Sequence, residues 1–350
     1  RKDRYTRIFN YEKGYYNKTI KEVVLPNGAK CNYISSDEIY IEFNNTGGDQ
    51  TRYTFIVPPD GYKCDILLVG GGGAGGGAGG AGGGGDVQQF KEISLAQGVY
   101  EIYVGAGGDT VGNNQAGIVG KNSTFSGNSI DLKAAGGGGG GGYGGYCADI
   151  WCSWITDTNS TNPTTVPTAT FKNPYTGDEL KTSGGGGGGV RVNNGRKIED
   201  GSSGSGGKNV EGNGETGGGG GGAAPSNEGG NAGNSSRWWG LYTGAGGKGV
   251  VSSITGQPIE YGGGGSGARW NGGVDTYGKS SGGAGNFKDG IFIDAENNKG
   301  GGGIMYRKGG SGTVIIRIKN FDNKYDITIN TDQYYKLNPV AQITFEPFKL

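Results

Sequence analysis

Runs of consecutive glycine constrain the fold of this chain more than any other feature of its sequence. The chain has 350 residues and 83 glycines, and only Gly14, Gly28, Gly47 and Gly48 lie outside residues 61–312. Glycine is about 1 kcal/mol less favourable than alanine at each helical position, and no amphipathic helical pattern is visible. The sequence therefore predicts an all-β fold with glycine inserts. The longest glycine runs are residues 82–85, 136–142, 184–189, 217–222, 262–265 and 300–303.

Short apolar or alternating runs between and around the glycine segments predict the strands. Residues 65–69 (Asp-Ile-Leu-Leu-Val) are apolar on both faces, which is typical of a central strand that is buried on both sides. Residues 313–319 have the same character. The other predicted strands are residues 5–9, 20–25, 39–43, 52–57, 87–93, 99–104, 130–135, 325–330 and 341–348.

The composition argues against several classes of function. The chain has no histidine, so Ser-His-Asp and Cys-His catalysis and His-ligated metal sites cannot form, and the acidic residues show no paired spacing. We expect a protein that is not an enzyme and has no cofactor and no metal. Lys+Arg and Asp+Glu are both 32, which argues against nucleic-acid binding. No apolar run approaches the ~18–20 residues that span a membrane. Since the sequence starts at Arg1, we expect a processed or trimmed product.

Two nucleotide-binding patterns occur among the glycines, and we attribute both to chance. Residues 70–75 match G-x-G-x-x-G after a buried strand, but the next residues are again glycine and alanine and cannot form the required helix. Residues 273–280 match the phosphate-loop pattern, but no strand precedes them and no helical pattern follows. Such matches are expected in a chain with this much glycine.

The glycine runs themselves have two interpretations. Glycine-rich chain commonly forms flexible linkers, but these runs recur between strands and are nearly pure glycine. The alternative is packed polyglycine II, an extended helix with three residues per turn and a rise of ~3.1 Å per residue. Such helices lack internal hydrogen bonds, and without Cβ atoms they can approach closely and bond sideways to one another. We favour the packed form, because folded β-elements at both ends of a run would hold it in place.

Three segments resemble the glycine-rich domain family. They are T-F-I-V-P-P-D-G-Y-K-C-D-I-L-L-V-G-G-G-G-A-G-G-G (residues 54–77), S-L-A-Q-G-V-Y-E-I-Y-V-G-A-G-G (94–108) and G-G-S-G-T-V-I-I-R-I (309–318). Domains of this family occur in phage tail proteins and adhesins, in large DNA viruses and in protist and bacterial surface proteins. A related version lies in the ectodomain of anaplastic lymphoma kinase. The resemblance implies a jelly-roll-like β-sandwich with polyglycine II helices between strands, and no catalytic residues.

The resemblance divides the chain into three parts. Residues 51–319 form the predicted glycine-rich domain, with an insertion at 143–183, and residues 1–50 and 320–350 are β-rich flanks that could serve as assembly arms. We expect an extracellular, cell-surface or virion-surface subunit that assembles with itself into a fibre, partly by strand exchange through its termini. The alternative is a tip protein that binds a receptor or a glycan. A third interpretation, a receptor ectodomain, has less support.

The candidate site residues are cysteines, aromatic residues and glycosylation sequons. The four cysteines allow three disulfide connectivities, of which we expect Cys147–Cys152 and Cys31–Cys64, while free thiols in a reducing compartment are the alternative. The five sequons are about as many as chance would give. Aromatic residues among the glycines either bind a partner or cover the sides of the glycine bundle. These aromatic candidates are Tyr143, Tyr146, Trp151, Trp154, Trp238, Trp239 and Tyr242. The sequons begin at Asn17, Asn44, Asn122, Asn159 and Asn234.

Overall fold

The structure of the chain is a computed structural model, and it is all-β. It describes residues 21–35, 37–77, 80–110, 117–140, 171–172, 179–180, 220–223, 245–268, 282–288, 291–319 and 325–329. No helix occurs among these residues, and every strand pair but one is antiparallel. The prediction of an all-β chain is therefore confirmed.

The strands group into two larger sheets and four pairs of strands. Their bounds are β1 Lys21–Leu25, β2 Lys30–Tyr33, β3 Ile39–Asn44, β4 Gln50–Val57, β5 Tyr62–Val69, β6 Val87–Leu95, β7 Gly98–Gly105, β8 Ser123–Gly127, β9 Ile130–Ala134, β10 Phe171–Lys172, β11 Glu179–Leu180, β12 Val250–Ser252, β13 Ile259–Tyr261, β14 Asn286–Lys288, β15 Ile291–Ile293, β16 Thr313–Ile318 and β17 Tyr325–Ile329.

The first sheet has five strands in the order β2-β3-β16-β5-β6. The two apolar strands predicted from sequence, β5 and β16, lie side by side in its interior, with Leu67 facing Ile315 and Leu68 facing Val314. β5 is buried on both faces because alternate residues contribute to different apolar clusters, Ile66 and Leu68 to one and Leu67 and Val69 to the other. The prediction of a strand buried on two sides is confirmed.

The second sheet has four strands in the order β4-β7-β8-β9. Along β4 the buried residues alternate with exposed ones, so one face of this sheet points inward. The rings of Phe43 in the first sheet and Phe55 in the second meet edge-to-face at 5.9 Å. Side chains of both sheets form one continuous core, which is the packing of a sandwich.

The outer face of the five-stranded sheet is covered by the β12–β13 hairpin. Tyr261 and Ile254 of this hairpin region pack with Leu67 and Ile315 of the sheet, and the Ser252 hydroxyl donates a 2.9 Å hydrogen bond to Gln89 Oε1. The first sheet is therefore the middle layer of the molecule at this point.

The strands of the two chain flanks pair in two different ways. β2 and β3 are strands of the five-stranded sheet, with Ile41 of β3 facing Ile316 of β16, so this part of residues 1–50 belongs to the sandwich and is not a separate arm. β1 instead pairs with β17 in parallel, from Lys21↔Tyr325 to Leu25↔Ile329. The predicted strands at residues 5–9 and 341–348 lie outside the described residues.

Candidate functional site

The glycine segments continue directly from the strands, and they do so at one end of the sandwich. Chain leaves this end after β5, β7 and β9 and returns to it before β6, β8 and β16. Because antiparallel strands alternate in direction, these six junctions lie side by side. We call the glycine-rich chain beyond this end the bundle, the sandwich end that it leaves the junction, and the far end of the bundle the distal end.

Residues 70–76 form the centre of the bundle, and their hydrogen bonds repeat every three residues. The N–H groups of Gly70 and Gly73 donate to Asp86 and Gly83 at 2.9 Å, and that of Gly76 donates to Gly80. The other N–H groups of the centre repeat in the same way toward two other segments. Gly71 and Ala74 donate to the carbonyl groups of Lys121 and Ile118, respectively. Gly72 and Gly75 donate to those of Gly310 and Arg307.

Three more segments donate to the carbonyl groups of the centre. Gly137 and Gly140 donate to Gly71 and Ala74 at 2.8 Å. The other two bonds are Gly108 to Gly72 and Gly303 to Gly73, both also 2.8 Å. The central segment is therefore surrounded by six others.

The six surrounding segments also bond to one another and close a ring. In order around the centre they are residues 80–86, 135–140, 117–121, 105–108, 307–312 and 300–303, and each bonds to the next, the last to the first. The chain direction alternates around the ring, because each segment that runs away from the junction lies between two segments that run toward it. Backbone hydrogen bonds therefore join every pair of neighbouring segments in this seven-segment bundle.

At many glycine positions the segments lie too close for a side chain to fit between them. A Cβ atom added to Gly70, Gly71 or Gly73 would lie 1.9, 1.9 and 2.0 Å from the carbonyl oxygens of Ala135, Ala106 and Gly138. Ordinary van der Waals contact begins at about 3.4 Å, so these neighbours would have to separate by more than an ångström. Glycine is required here by close approach of backbone to backbone, at positions where φ is not positive.

A second layer extends the bundle on one side. Residues 262–265 bond to residues 300–303 and 82, and residues 220–223 and 245–249 bond to residues 262–265 in turn. Residues 245–249 then enter β12, and residues 262–268 leave β13. The outer hairpin is thus joined to the bundle in the same way as the sandwich strands.

Buried polar side chains bridge the junction, where the β-ladder gives way to the bundle. The Ser123 hydroxyl donates to the Val69 carbonyl at 2.7 Å and accepts from the Gly105 N–H at 3.0 Å. The Thr313 hydroxyl donates to the Phe43 carbonyl at 3.0 Å. These side chains supply partners for backbone groups at the ends of several strands, and unpartnered buried backbone groups would be costly.

The distal end carries an apolar cap. Ala268, Ile304 and Met305 are buried there, and Phe287 and Phe292 of the β14–β15 hairpin pack against them, with their rings edge-to-face at 5.1 Å. The opposite face of the hairpin exposes Ile291 and Ile293, which are 63% and 43% accessible.

The sandwich end opposite the bundle carries a group of ion pairs. Lys319 Nζ lies 3.1 Å from Asp65 Oδ2 and also pairs with Glu92, whose other carboxylate oxygen is 2.9 Å from Lys63 Nζ. Hydrogen bonds from Lys319 and Lys63 lower the pKa of Glu92 to about 2. Glu92 lies at a β-bulge opposite Asp65, has φ +56° and donates its N–H to Asp65 Oδ1.

The predicted Cys31–Cys64 disulfide is wrong for this structure, in which both residues are free thiols. Cys31 lies in β2 and Cys64 in β5, and β3 and β16 separate the two strands. Strands are ~4.8 Å apart, so the two cysteines lie far beyond the ~7 Å Cα separation that a disulfide tolerates. Burial raises the pKa of the Cys31 thiol to about 11 and that of Cys64 further. Cys147 and Cys152 lie outside the described residues.

Of the predicted sequons, only those at Asn44 and Asn122 fall among the described residues. Asn44 is buried, and its side-chain nitrogen, to which a glycan would be attached, donates a 3.0 Å hydrogen bond to Glu42, so a glycan at Asn44 is incompatible with its burial in this structure. Asn122 is partly buried, and its side-chain oxygen accepts the Gly136 N–H at 3.0 Å. The candidates outside the described residues are Asn17, Asn159, Asn234, Tyr143, Tyr146, Trp151, Trp154, Trp238, Trp239 and Tyr242.

Comparison with known families gives one match over most of the chain. A family model described as a glycine-rich domain matches residues 48–319, most of the chain. The chain belongs to the glycine-rich domain family. The match begins within the loop before β4 and ends one residue beyond β16, so it includes both the bundle and most of the sandwich. A search of curated proteins finds no match.

The described residues hold neither a membrane-spanning helix nor a cluster of metal ligands. None of them forms a helix long and apolar enough to cross a membrane. Within the same residues, no three His, Cys, Asp or Glu side chains gather as metal ligands would.

Sequence reasoning missed the polar side chains of the junction. Ser123 and Thr313 carry no motif, and their roles depend on which strands end beside them. A signal was nevertheless present, because each stands at the first position of a strand that follows a glycine segment.

Proposed function

We propose that this chain is a non-enzymatic structural subunit of an extracellular or virion-surface fibre, and that its glycine segments are polyglycine II helices. The observation that carries the proposal is the closed ring of backbone hydrogen bonds around residues 70–76. A unit held together in this way is stiff, because no segment can move without breaking bonds to several neighbours.

The three-residue repeat of the donors supports the polyglycine II assignment. A polyglycine II helix has three residues per turn, so residues i, i+3 and i+6 point toward the same neighbour. This is the relation among Gly70, Gly73 and Gly76, which all donate to the segment of residues 80–86. Fibre diffraction or infrared spectroscopy on the purified protein would test for this helix type.

The parallel β1–β17 pair supports assembly by strand exchange. Among the described residues, β17 hydrogen-bonds to β1 alone, and this pair is separate from both larger sheets. The same register could therefore form between β17 of one copy and β1 of the next without altering either sandwich. Such β-augmentation gains main-chain hydrogen bonds, and the zero net charge limits repulsion between copies.

Negative-stain electron microscopy of two truncated chains tests this proposal. The full chain is expected to form filaments, and deletion of residues 321–350 is expected to abolish them. Deletion of residues 331–350 keeps β17 and is the matched control for assembly through this strand. Filaments that survive the longer deletion unchanged would refute exchange through β17. A full chain that stays monomeric at high concentration would refute the fibre role itself.

A receptor- or glycan-binding tip is the second candidate, and the exposed face of the β14–β15 hairpin favours it. Ile291 and Ile293 present apolar surface at the distal end of the bundle. Glycan-array and cell-binding assays with Ile291→Ser and Ile293→Ser test this role. Val251→Ser is the control, because Val251 on the β12–β13 hairpin is about as exposed as Ile291. Binding that persists in both variants would exclude this surface.

A further inference from the structure

The directions of β1 and β17 determine how the chain responds to a pulling force. The two strands run the same way, with Lys21 beside Tyr325 at one end of the pair and Leu25 beside Ile329 at the other. The preceding chain joins the pair at Lys21, and the following chain leaves it at Ile329. A force applied along the chain from both sides therefore acts on opposite ends of the pair.

Force in this geometry slides the strands along each other. The hydrogen bonds of a parallel pair are evenly spaced along the ladder, so they share the load and must break together. If the force were applied to Lys21 and Tyr325 instead, it would open the ladder one bond at a time from a single end. Simultaneous rupture requires the larger force.

The same pair isolates the rest of the molecule from the load. Residues 26–324, which include the sandwich and the bundle, form a loop that the β1–β17 pair closes. While the pair holds, force passes from β1 directly to β17 and does not enter the loop.

We propose that the β1–β17 pair is a mechanical clamp, loaded in shear, that protects the sandwich and the bundle when the chain is stretched by its two flanks. The clamp requires β1 and β17 of the same chain to pair, so a copy that has exchanged β17 with a neighbour does not contain it. The clamp therefore does not depend on the proposed function, and measurements on single molecules test it independently of assembly.

The strands behind the clamp repeat its geometry. β2 and β16 both pair antiparallel with β3 and so run in the same direction. After rupture of the clamp, force would enter β2 at Lys30 and leave β16 at its opposite end, beside Lys319. The ion pairs of Lys319 with Asp65 and Glu92 anchor that end. The second barrier is therefore also a shear barrier.

Single-molecule force spectroscopy of the full chain, with two attachment geometries, is the direct test. Pulling from Arg1 and Leu350 is expected to give a discrete early event before the main unfolding. This event should lengthen the chain by about 60 Å, the reach of residues 21–29 and 320–329 once extended. Pulling through encoded attachment points at Lys21 and Tyr325 is expected to eliminate this event from the same force range. No early event in the first geometry, or equal forces in both, would overturn the clamp.

A proline variant tests which strand pair carries the early event. Proline has no backbone N–H, and one of Val23 and Val24 donates its N–H to β17. The double variant Val23→Pro with Val24→Pro therefore removes that hydrogen bond. The early event is expected to disappear while the main unfolding remains. Asn27→Pro is the control. It lies in the turn after β1, where Gly28 has φ +86° and proline is favoured at the preceding position. Retention of the early event in the double variant would refute the assignment. If that variant does not fold, the comparison of attachment geometries still decides.

Discussion

The sandwich and the bundle are stabilised by different parts of the chain. In the sandwich, large apolar side chains such as Phe43, Phe55 and Phe125 fill the space between two sheets. In the bundle, backbone hydrogen bonds join segments that have almost no side chains between them. The stability of the sandwich depends on the volume of its side chains, and that of the bundle depends on having no side chains between its segments. Removing side-chain atoms should therefore destabilise the sandwich, and adding them should destabilise the bundle.

The largest effect is expected from adding one methyl group at the centre of the bundle. In Gly73→Ala the new Cβ would lie 2.0 Å from the Gly138 carbonyl oxygen, and the neighbouring segments are fixed by the ring. We expect the unfolding free energy to fall by more than about 4 kcal/mol, because only severe clashes and buried defects cause losses of this size. The variant chain is therefore expected not to fold. Circular dichroism during heating is expected to show a cooperative transition for the wild type and none for Gly73→Ala.

Gly48→Ala is the control for this variant. Gly48 has φ +67°, but an added Cβ would meet nothing within 4 Å, so only the backbone strain of about 1–2 kcal/mol is expected. Equal losses at Gly73 and Gly48 would show that close packing of the bundle is not what requires glycine.

The next largest effect is expected from removing volume in the sandwich. Phe125 is fully buried and its ring stacks on Tyr100 at 5.2 Å. Phe125→Ala leaves a cavity and should cost about 3–5 kcal/mol of unfolding free energy, measured by urea denaturation. Phe125→Leu keeps most of the volume and should cost less. If Phe125→Ala were nearly neutral, side-chain packing would not be what stabilises the sandwich.

This contrast also explains which parts of the fold could be predicted from sequence. β5 and β16 were predictable because a run such as Ile66-Leu67-Leu68 is apolar on both faces whatever its neighbours are. The pairing of Cys31 with Cys64 was predicted wrongly because it depends on sheet order, and β3 and β16 come between the two strands. Sheet order is a long-range property that no local pattern contains.

The bundle shows the same limit in another form. A glycine run predicts a close approach between segments, and the close approaches are present. The run does not predict which segment is the neighbour, because glycines carry no side chain that could distinguish one neighbour from another. The order of segments in the ring follows instead from the strands to which they are joined. The sandwich therefore positions the bundle.

A smaller effect is expected at the junction between the two regions. Ser123→Ala removes the partner of the buried Gly105 N–H and of the Val69 carbonyl, and an unpartnered buried group costs about 1–3 kcal/mol. Hydrogen exchange should accelerate at Gly105 in particular. Ser126→Ala is the matched control on the same strand, because Ser126 is partly exposed. Equal effects of the two substitutions would show that the junction bond does not couple the regions.

The smallest effect is expected from pH, and in the sandwich it should arise at Glu92. The pKa of Glu92 is about 2 in the folded chain, below its ordinary value of 4.5, because Lys319 and Lys63 donate hydrogen bonds to its carboxylate. A lowered pKa means that the stabilisation is complete above pH 4.5 and decreases as the pH falls toward 2. Glu92 is 43% exposed, so solvent screening limits this contribution to below about 1 kcal/mol. Urea denaturation should therefore separate wild type from Glu92→Gln at pH 6 and bring the two together near pH 2. A constant difference over this range would mean that Glu92 acts through its backbone conformation at the bulge and not through its charge.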